Sequence, residues 1–454
     1  MAHSGPKKLL REETNDNNKL RAGDRAIHDW YRFVLSFPPH LVRSYLERFG
    51  VRPGATVLDP FCGTGTTLVE CKKLGIRSVG IERNPMACFA SSVKVNWRVS
   101  PDDLLDHAAA VGSLASRRLS GQGIEYFDLP LFRQTPKAKP SLRTLTEDAT
   151  KLLLRDSISP IPLHKTLVLL DELKRNEDER FSEHEQLALA KTIVFGISNL
   201  HFGPEVGVGR PKSDAPVVRK WLDNVRTMAM DLQALGERSE AESSVYQADS
   251  RDLGRILPPG SVDAVITSPP YPNEKDYTRT TRLESVILGF MHNRGDLRTI
   301  KKDLLCSNSR TVYKSDGDHL LVADNAEVQS LADAIERRRI ELGKTSGFER
   351  MYAKVTRAYF GGMNRHLAGL RNILRPGALL AYVVGDQASY LRVMIRTGQL
   401  LASIAAGLGY EVVGIDLFRT RLATASGERL REEVVVLRWP GNRSKRGAAR
   451  EEAE

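Results

Sequence analysis

A hydroxyl, two prolines and an aromatic ring follow an apolar run that has the composition of a buried strand. The run VDAVI is followed directly by TSPPY, residues 267–271. Proline fixes the backbone φ and removes a donor, so two in succession stiffen the loop. In Ser268, Pro269, Pro270 and Tyr271 the hydroxyl and a carbonyl can accept hydrogen bonds while the ring offers a face for stacking. These residue types predict a loop that positions a planar ligand.

A second loop, DPFCGTGTT at residues 59–67, follows the first predicted strand and opens a helix. Gly63 and Gly65 allow a tight turn and close approach of a ligand to the backbone. The spacing matches neither GxGxxG nor the P-loop, so a phosphate cradle is not predicted. Glu82 ends the second strand, where a carboxylate can accept both hydroxyls of a ribose. Asp249 ends the third strand and could accept from an adenine amino group.

These loops are positioned by strands that alternate with helices, a pattern typical of a doubly wound α/β fold. We predict a mostly parallel seven-stranded sheet with an antiparallel last strand and two largely helical insertions. The predicted strands are Thr56–Phe61, Ser78–Glu82, Ser244–Asp249, Asp263–Ser268, Ala378–Asp386, Tyr410–Phe418 and Glu432–Trp439. Loops at the carboxyl ends of parallel strands share one edge of the sheet, so we expect both motifs to meet there.

Two stretches interrupt this alternation, and both leave the sheet at the motif edge, where they could wall the site. The predicted organisation is a disordered arm (1–29), a catalytic domain (30–92 and 244–440), a helical insertion (93–243), a second insertion (272–347) and a disordered tail (441–454).

Charge and composition narrow the class of protein. The formal net charge of +11 favours a polyanionic partner, nucleic acid first. The four cysteines form no CxxC pair or zinc-type cluster, so we expect a reducing cytoplasm and no structural metal. No apolar run is long enough to span a bilayer, and the polar N-terminus is not a signal peptide.

Together, DPFCGTGTT and TSPPY resemble the motifs of the amino-methylating DNA methyltransferases, which use S-adenosyl-L-methionine and have a Rossmann-like fold. The resemblance covers roughly residues 30–92, 244–279 and 350–440. It implies that Glu82 holds the cofactor's ribose and Asp249 its adenine. The cofactor's amino-acid part would meet Asp59, Phe61, Gly63 and Gly65, with the hydroxyl of Thr64 retained. The segment 33–49 resembles the family's helix before the cofactor motif, and its Phe37 and Pro38 would close the pocket.

The same resemblance gives TSPPY a chemical role. An exocyclic amino group is a poor nucleophile because its lone pair is delocalised into the base. Acceptors at Ser268 and Pro269 favour a more tetrahedral nitrogen, while Tyr271 stacks a base held outside its duplex. Carbon-5 methylation of cytosine needs a cysteine nucleophile after a proline, and none is present. Serine at the first position resembles the N4-cytosine enzymes, with N6-adenine as the alternative.

We expect the target reader to lie in an insertion, because the chain ends soon after its last strand. The cofactor motif precedes TSPPY, as in the subclass with a recognition insertion between the two halves, and residues 93–243 are the candidate. This insertion precedes Asp249, whereas in that subclass it follows the corresponding residue, so the insertion at 272–347 stays open as the alternative. The predicted contacts to double-stranded DNA are Arg210 and Lys212 in a Gly/Pro-rich loop, and Lys275, Arg279 and Arg282 on phosphates after the catalytic loop. A cognate restriction endonuclease is a possible partner.

Three rival interpretations remain open. An RNA methyltransferase acting on a base amino group would have nearly the same catalytic loop, but we recognise no RNA-binding module. A protein-amide methyltransferase usually begins this loop with Asn rather than Ser. A basic nucleic-acid-binding protein without activity is disfavoured by intact Asp59, Glu82, Ser268 and Tyr271.

Overall fold

A seven-stranded sheet forms the centre of the computed structural model. The structure describes residues 20–32, 36–124, 141–203, 205–236, 241–273, 275–313, 315–422, 427 and 429–441. The strands are β1 (Thr56–Asp59), β2 (Arg77–Ile81), β3 (Leu200–Phe202), β4 (Val206–Val208), β5 (Ser243–Tyr246), β6 (Val262–Thr267), β7 (Leu374–Gly385), β8 (Glu411–Leu422) and β9 (Arg429–Arg438). The central order is β5-β2-β1-β6-β7-β9-β8, and β3 and β4 form a separate hairpin. Strand β9 runs antiparallel to β7 and β8, and the other pairs are parallel, which confirms the predicted fold class.

Helices cover both faces of this sheet and form the insertions. They are α1 (Pro39–Arg48), α2 (Thr66–Lys73), α3 (Pro85–Val95), α4 (Pro101–Gly121), α5 (Glu147–Thr150), α6 (Pro160–Arg175), α7 (Ser182–Lys191), α8 (Val217–Leu235), α9 (Tyr277–Thr280), α10 (Arg282–Ile287), α11 (Arg294–Lys302), α12 (Ala326–Glu341), α13 (Tyr352–Leu370) and α14 (Thr397–Gly407).

The two faces of the sheet follow from the two-residue period of its strands. Val57 and Ile266 point to one face, where they pack with side chains of α1 and α2. Leu58 and Val265 point to the other face, where they pack with side chains of α13 and α14. Apolar residues at successive positions are therefore buried on both sides, as expected for parallel strands covered by helices.

The strand order reverses between β1 and β6, which is where open α/β sheets bind ligands. The carboxyl ends of these two strands are joined by a hydrogen bond of 2.6 Å, in which the Thr267 hydroxyl donates to Asp59 Oδ1. The loops that follow β1 and β6 are DPFCGTGTT and TSPPY. The topology therefore brings the two motifs side by side.

The first insertion is mostly helical, and its buried Leu119, Val168 and Trp221 share one core with Leu68 of α2 and Met86 of α3. Between α7 and α8 lies a stretch that the sequence predicts as a loop. The structure places the β3–β4 hairpin there, with Leu200 paired to Val208 and Phe202 to Val206. The sequence does not indicate these strands, because each is only three residues long and lies in a Gly/Pro-rich stretch.

The second insertion packs against α13, where two glycines permit close backbone contact. A Cβ on Gly361 would lie 1.9 Å from the Asp318 carbonyl oxygen, and one on Gly362 would lie 2.4 Å from Leu305. The second insertion, which contains helices α9–α12, therefore packs directly against α13 of the catalytic domain.

The N-terminal region needs two corrections. Residues 20–29 belong to the predicted disordered arm, but residues 20–32 are described and form an ordered N-terminal strap. Its Ile27 and Trp30 are fully buried, and Asp231 of α8 accepts from Ile27 N at 2.9 Å and from Trp30 Nε1 at 2.8 Å. Helix α1 begins only at Pro39, because a prolyl residue restricts the residue before it to extended geometry.

Parts of three predicted segments lie outside the residues that the structure describes. Residues 1–19 of the arm, 33–35 before α1 and 442–454 of the tail lie outside the described residues. Within the described residues, no helix combines the length and apolar character that crossing a bilayer requires.

Candidate active site

The loop after β1 takes a shape that requires glycine. Gly65 has φ +82° and immediately precedes α2, and Gly63 has φ +52°. A Cβ on Gly65 would lie 2.5 Å from Ser91 Oγ on α3. Any side chain there would both strain the backbone and separate the loop from α3, which would displace the N-terminus of α2.

Asp59 lies beneath this loop and is fully buried. Its Oδ1 accepts from Thr267 and from the Phe61 backbone N–H, whereas Oδ2 has no partner among the described residues. Burial raises the pKa of Asp59 to about 6, against the opposing effect of its hydrogen bonds. An unsatisfied buried carboxylate oxygen directly behind a loop is a position where a bound donor would be stabilised.

Glu82, at the end of β2, is held rigidly. Its Oε2 accepts from the Gly63 N–H at 3.0 Å and its Oε1 from the Asn84 N–H at 2.8 Å. Burial raises the pKa of Glu82 to about 7. The carboxylate therefore connects the loop after β1 to the start of α3. It also faces the cavity, where its remaining lone pairs can accept from a ligand.

Asp249 also faces the cavity, but its oxygens are engaged by Arg251. The guanidinium donates from Nε at 2.9 Å to Oδ1 and from Nη2 at 2.7 Å to Oδ2. Arg251 is in turn held by Asp318 of the second insertion at 2.6 Å. A ligand amino group would have to share these acceptors, so the adenine role of Asp249 stays a prediction.

The TSPPY loop presents an oriented acceptor. The Ser268 hydroxyl donates to the Val383 carbonyl oxygen of β7 at 3.1 Å. Because its hydrogen is used in this way, its lone pairs remain available to a donor in the cavity. Tyr271 packs against Gly385, where a Cβ would lie 3.0 Å from its ring, so the ring position depends on the absence of a side chain there.

One cavity of about 320 Å³ joins these groups. The predicted site residues that line it are Phe37, Phe61, Gly63, Thr64, Glu82, Asp249, Ser268, Pro269, Pro270, Tyr271 and Lys275. Pro38, Asp59 and Gly65 are outside its lining and act from behind it. The structure therefore brings the residues of both motifs to a single space.

Four of the five predicted DNA-contacting residues lie in three different places. Lys275 lines the cavity, together with Arg421 of β8. Arg279 lies 3.6 Å from Glu205 of the first insertion, and Arg210 and Lys212 are exposed in the loop after β4. These four residues stay candidates for DNA contact.

Arg282 differs from these four residues, because its guanidinium makes hydrogen bonds inside the protein. It donates to the Thr278 carbonyl and hydroxyl at 3.1 and 2.8 Å, and to the Leu152 carbonyl at 3.3 Å. The phosphate contact predicted for Arg282 therefore stays a prediction, with most of its donors already engaged. Arg282 joins the second insertion to the first.

Several residues of the site escaped the sequence analysis. Tyr31 and Arg32 of the strap, and Phe195 and Phe202 of the first insertion, line the cavity. The Tyr31 hydroxyl donates to buried Glu284 of α10. None of these residues belongs to a motif, and their contacts span long sequence separations, so no local pattern could have indicated them.

Two buried side chains support the cavity wall from outside. Lys94 of α3 donates to the Thr64 carbonyl at 2.7 Å and to the Tyr31 carbonyl at 3.2 Å, and burial lowers its pKa to about 7. His366 of α13 donates from Nδ1 to the Ser250 carbonyl at 2.8 Å, while its ring lies 5.0 Å from that of Phe61. Both fix cavity-lining backbone in place.

The described residues contain no cluster of three or more His, Cys, Asp or Glu side chains that could hold a metal ion. All four cysteines are buried and free.

Comparisons with known proteins give a family match and several similar proteins. Residues 7–92 match the family model described as DNA methylase. The chain is similar to the type II methyltransferase M.BsoBI of Geobacillus stearothermophilus, with 26% identity over 451 residues, 95% of this chain and 86% of that protein. It is also similar to the type II methyltransferase M.AvaI of Nostoc sp., with 22% identity over 441 residues, 90% of this chain and 86% of that protein.

A shorter and closer similarity covers 72 residues of the type II methyltransferase M.MjaII of Methanocaldococcus jannaschii. The identity is 41%, over 16% of this chain and 13% of that protein. The family model and the near full-length similarities support the amino-methylating DNA methyltransferase family that the two motifs indicate.

Proposed function

We propose that the protein is a type II DNA methyltransferase of the cytoplasm that transfers a methyl group from S-adenosyl-L-methionine to the exocyclic N4 of cytosine. The observation that carries this proposal is the single cavity lined by both Glu82 and Ser268. Methyl transfer to a base needs the donor and the amino group in one space from which water is displaced. N6 of adenine is the alternative target atom.

The residues present fit the methyl donor. Glu82 offers acceptors for ribose hydroxyls, Phe61 an aromatic surface, and Asp59 Oδ2 an unsatisfied acceptor behind the loop. When bound, S-adenosyl-L-methionine supplies a methyl group already activated by a sulfonium. The task left to the chain is positioning and electrostatics.

Ser268 and Pro269 perform that task on the base. The Ser268 hydroxyl is oriented by Val383, so it accepts rather than donates towards the amino group. The Pro269 carbonyl is the second acceptor. As the nitrogen gains positive charge during attack, both acceptors interact with it more strongly, which lowers the barrier. The methylated nitrogen is then cationic and therefore acidic, and its proton is lost to water.

The cysteines argue against the carbon-5 route. Cys62 is the one cysteine among the residues that line the cavity, and burial raises the pKa of its thiol well above the ordinary value. A neutral thiol is a poor nucleophile. The preference for cytosine over adenine rests on serine at the first position of SPPY.

The substrate class is tested with radiolabelled cofactor and three polymers of matched sequence: duplex DNA, single-stranded DNA and RNA. We expect label in duplex DNA. The Ser268→Ala protein is the control for contaminating activity. Label in RNA alone would contradict the proposal and favour the RNA alternative.

Lys275 is proposed to hold a phosphate beside the target nucleotide. It is half-buried, and its pKa is lowered first by burial and then by Arg421. Two cations in one partly desolvated space are stabilised by an anion between them. We expect Lys275→Gln to raise KM for DNA about tenfold, and to reduce the slope of log affinity against log salt by about 0.9.

Arg282→Gln is the matched control, since it removes the same charge seven residues away. Its guanidinium is committed to Thr278 and Leu152, so we expect a lower unfolding midpoint with an unchanged salt slope. A salt slope that falls for Arg282→Gln but not for Lys275→Gln would reverse these assignments.

A further inference from the structure

The first insertion contributes an aromatic pair to the cavity. Phe195 and Phe202 both line it, with ring centroids 5.8 Å apart and planes inclined by 39°. Tyr31 of the strap lies on Phe195 at 6.4 Å. Phe195 is nevertheless 48% exposed. The Phe195 ring therefore contacts two other rings and is still exposed to solvent at the cavity.

The backbone that carries Phe195 has an unusual conformation. Thr192–Ile197 forms a π-helical turn, a feature found frequently at functional sites. Just beyond it, buried Asn199 anchors the β3–β4 hairpin. Its side chain donates to the Asp156 carbonyl at 2.8 Å and to Ser159 Oγ at 3.0 Å, and its Oδ1 accepts from Lys212 N at 2.9 Å.

The same segment places positive charge beside Phe195. The Lys212 ammonium lies 3.3 Å from the carbonyl oxygen of Gly196, the next residue to Phe195. Arg210 precedes it in the same exposed loop. An exposed apolar ring next to a loop that carries exposed cations matches a polyanion whose interior is apolar and stacked, which describes duplex DNA.

We propose that Phe195 enters the DNA duplex at the target base pair and stabilises the extrahelical base, while Arg210 and Lys212 contact the adjacent phosphates. This inference rests on the proposed function and assigns target-site contact to the first insertion. Apolar side chains inserted between base steps are an established means of unstacking DNA. The energy of unstacking is smallest where the target base is already unpaired.

An exposed aromatic residue is not by itself a site, and the chain supplies a matched comparison. Phe348 is 53% exposed but lies outside the cavity lining, with the Arg310 guanidinium 5.6 Å from its ring centroid. Phe348→Ala therefore controls for the loss of an exposed ring.

The test uses the full-length protein and a duplex that carries its methylated sequence, identified by sequencing the reaction products. We expect Phe195→Ala to lower kcat/KM about 10- to 100-fold on the paired duplex. On a duplex with an abasic site opposite the target base, the loss should shrink to about threefold or less. Phe195→Trp should retain most activity, and Phe348→Ala should match the unsubstituted protein on both duplexes.

The unfolding midpoint and the cofactor Kd of Phe195→Ala should stay unchanged. Equal losses on the paired and abasic duplexes, or no loss on either, would overturn the inference while leaving the proposed function intact. An unsubstituted protein that methylates no duplex DNA would overturn both.

Discussion

Ser268→Ala is expected to lower kcat about 100-fold or more, with the cofactor Kd changed by no more than about twofold. The alanine removes the side-chain acceptor proposed for the amino group, since the Ser268 hydroxyl hydrogen is already committed to the Val383 carbonyl. The proposed cofactor contacts come from other loops, so binding of the methyl donor should survive. Single-turnover rates with duplex DNA and equilibrium cofactor titration measure the two quantities separately.

Ser261→Ala is a suitable control for this substitution. Ser261 immediately precedes β6, whereas Ser268 immediately follows it, and the Ser261 hydroxyl also donates to a backbone carbonyl, that of Pro258 at 2.6 Å. We expect wild-type kcat from the control. A Ser268→Ala enzyme within about threefold of wild type, or one that lost cofactor binding instead of rate, would refute the acceptor role.

Glu82→Ala is expected to raise the cofactor Kd about 100-fold, the second large effect. The substitution removes the proposed ribose acceptors and also the two hydrogen bonds that hold the Gly63 and Asn84 N–H groups. Charged acceptors of this kind contribute roughly 1.5–3 kcal/mol each, so two lost ligand contacts account for the change. An unchanged Kd by calorimetry would remove Glu82 from the cofactor site.

The same carboxyl gives a pH signature with a defined sign. Burial raises the pKa of Glu82 from 4.5 to about 7, so the unliganded protein gains stability from this group below pH 4.5 and loses it as pH rises through 7. Cofactor affinity should run the opposite way and weaken as pH falls through 7, because protonation removes acceptor capacity. Glu82→Gln should flatten both responses between pH 5 and 8 relative to wild type; parallel curves for the two proteins would contradict the assignment.

Local patterns in the sequence were sufficient for the sheet and for the motif loops. Alternation of apolar runs with helices predicts β1, β2, β5 and β6, and the switch-point rule predicts that the loops after β1 and β6 meet. The contact between Asp59 and Thr267 is the direct expression of that rule. Residues placed at strand ends by topology are therefore predictable without coordinates.

The walls of the cavity were not predictable in this way. Tyr31 reaches Glu284, and Trp30 reaches Asp231, across more than 200 residues, and such pairs leave no periodic trace in the sequence. The ordered strap was assigned to a disordered arm because its polar neighbours dominate the local composition. Arg282 was assigned to phosphate because charge and position suggest exposure, whereas the fold surrounds its guanidinium with carbonyl groups.

The most direct test of the central claim is the identity of the methylated nucleoside. Duplex DNA is incubated with the full-length protein and isotopically labelled S-adenosyl-L-methionine, digested to nucleosides and examined by mass spectrometry, with the Ser268→Ala protein in parallel. The site described here predicts labelled N4-methylcytidine in its deoxy form and almost none from the variant. Labelled N6-methyldeoxyadenosine would contradict the choice of base, and labelled 5-methyldeoxycytidine would contradict amino methylation itself.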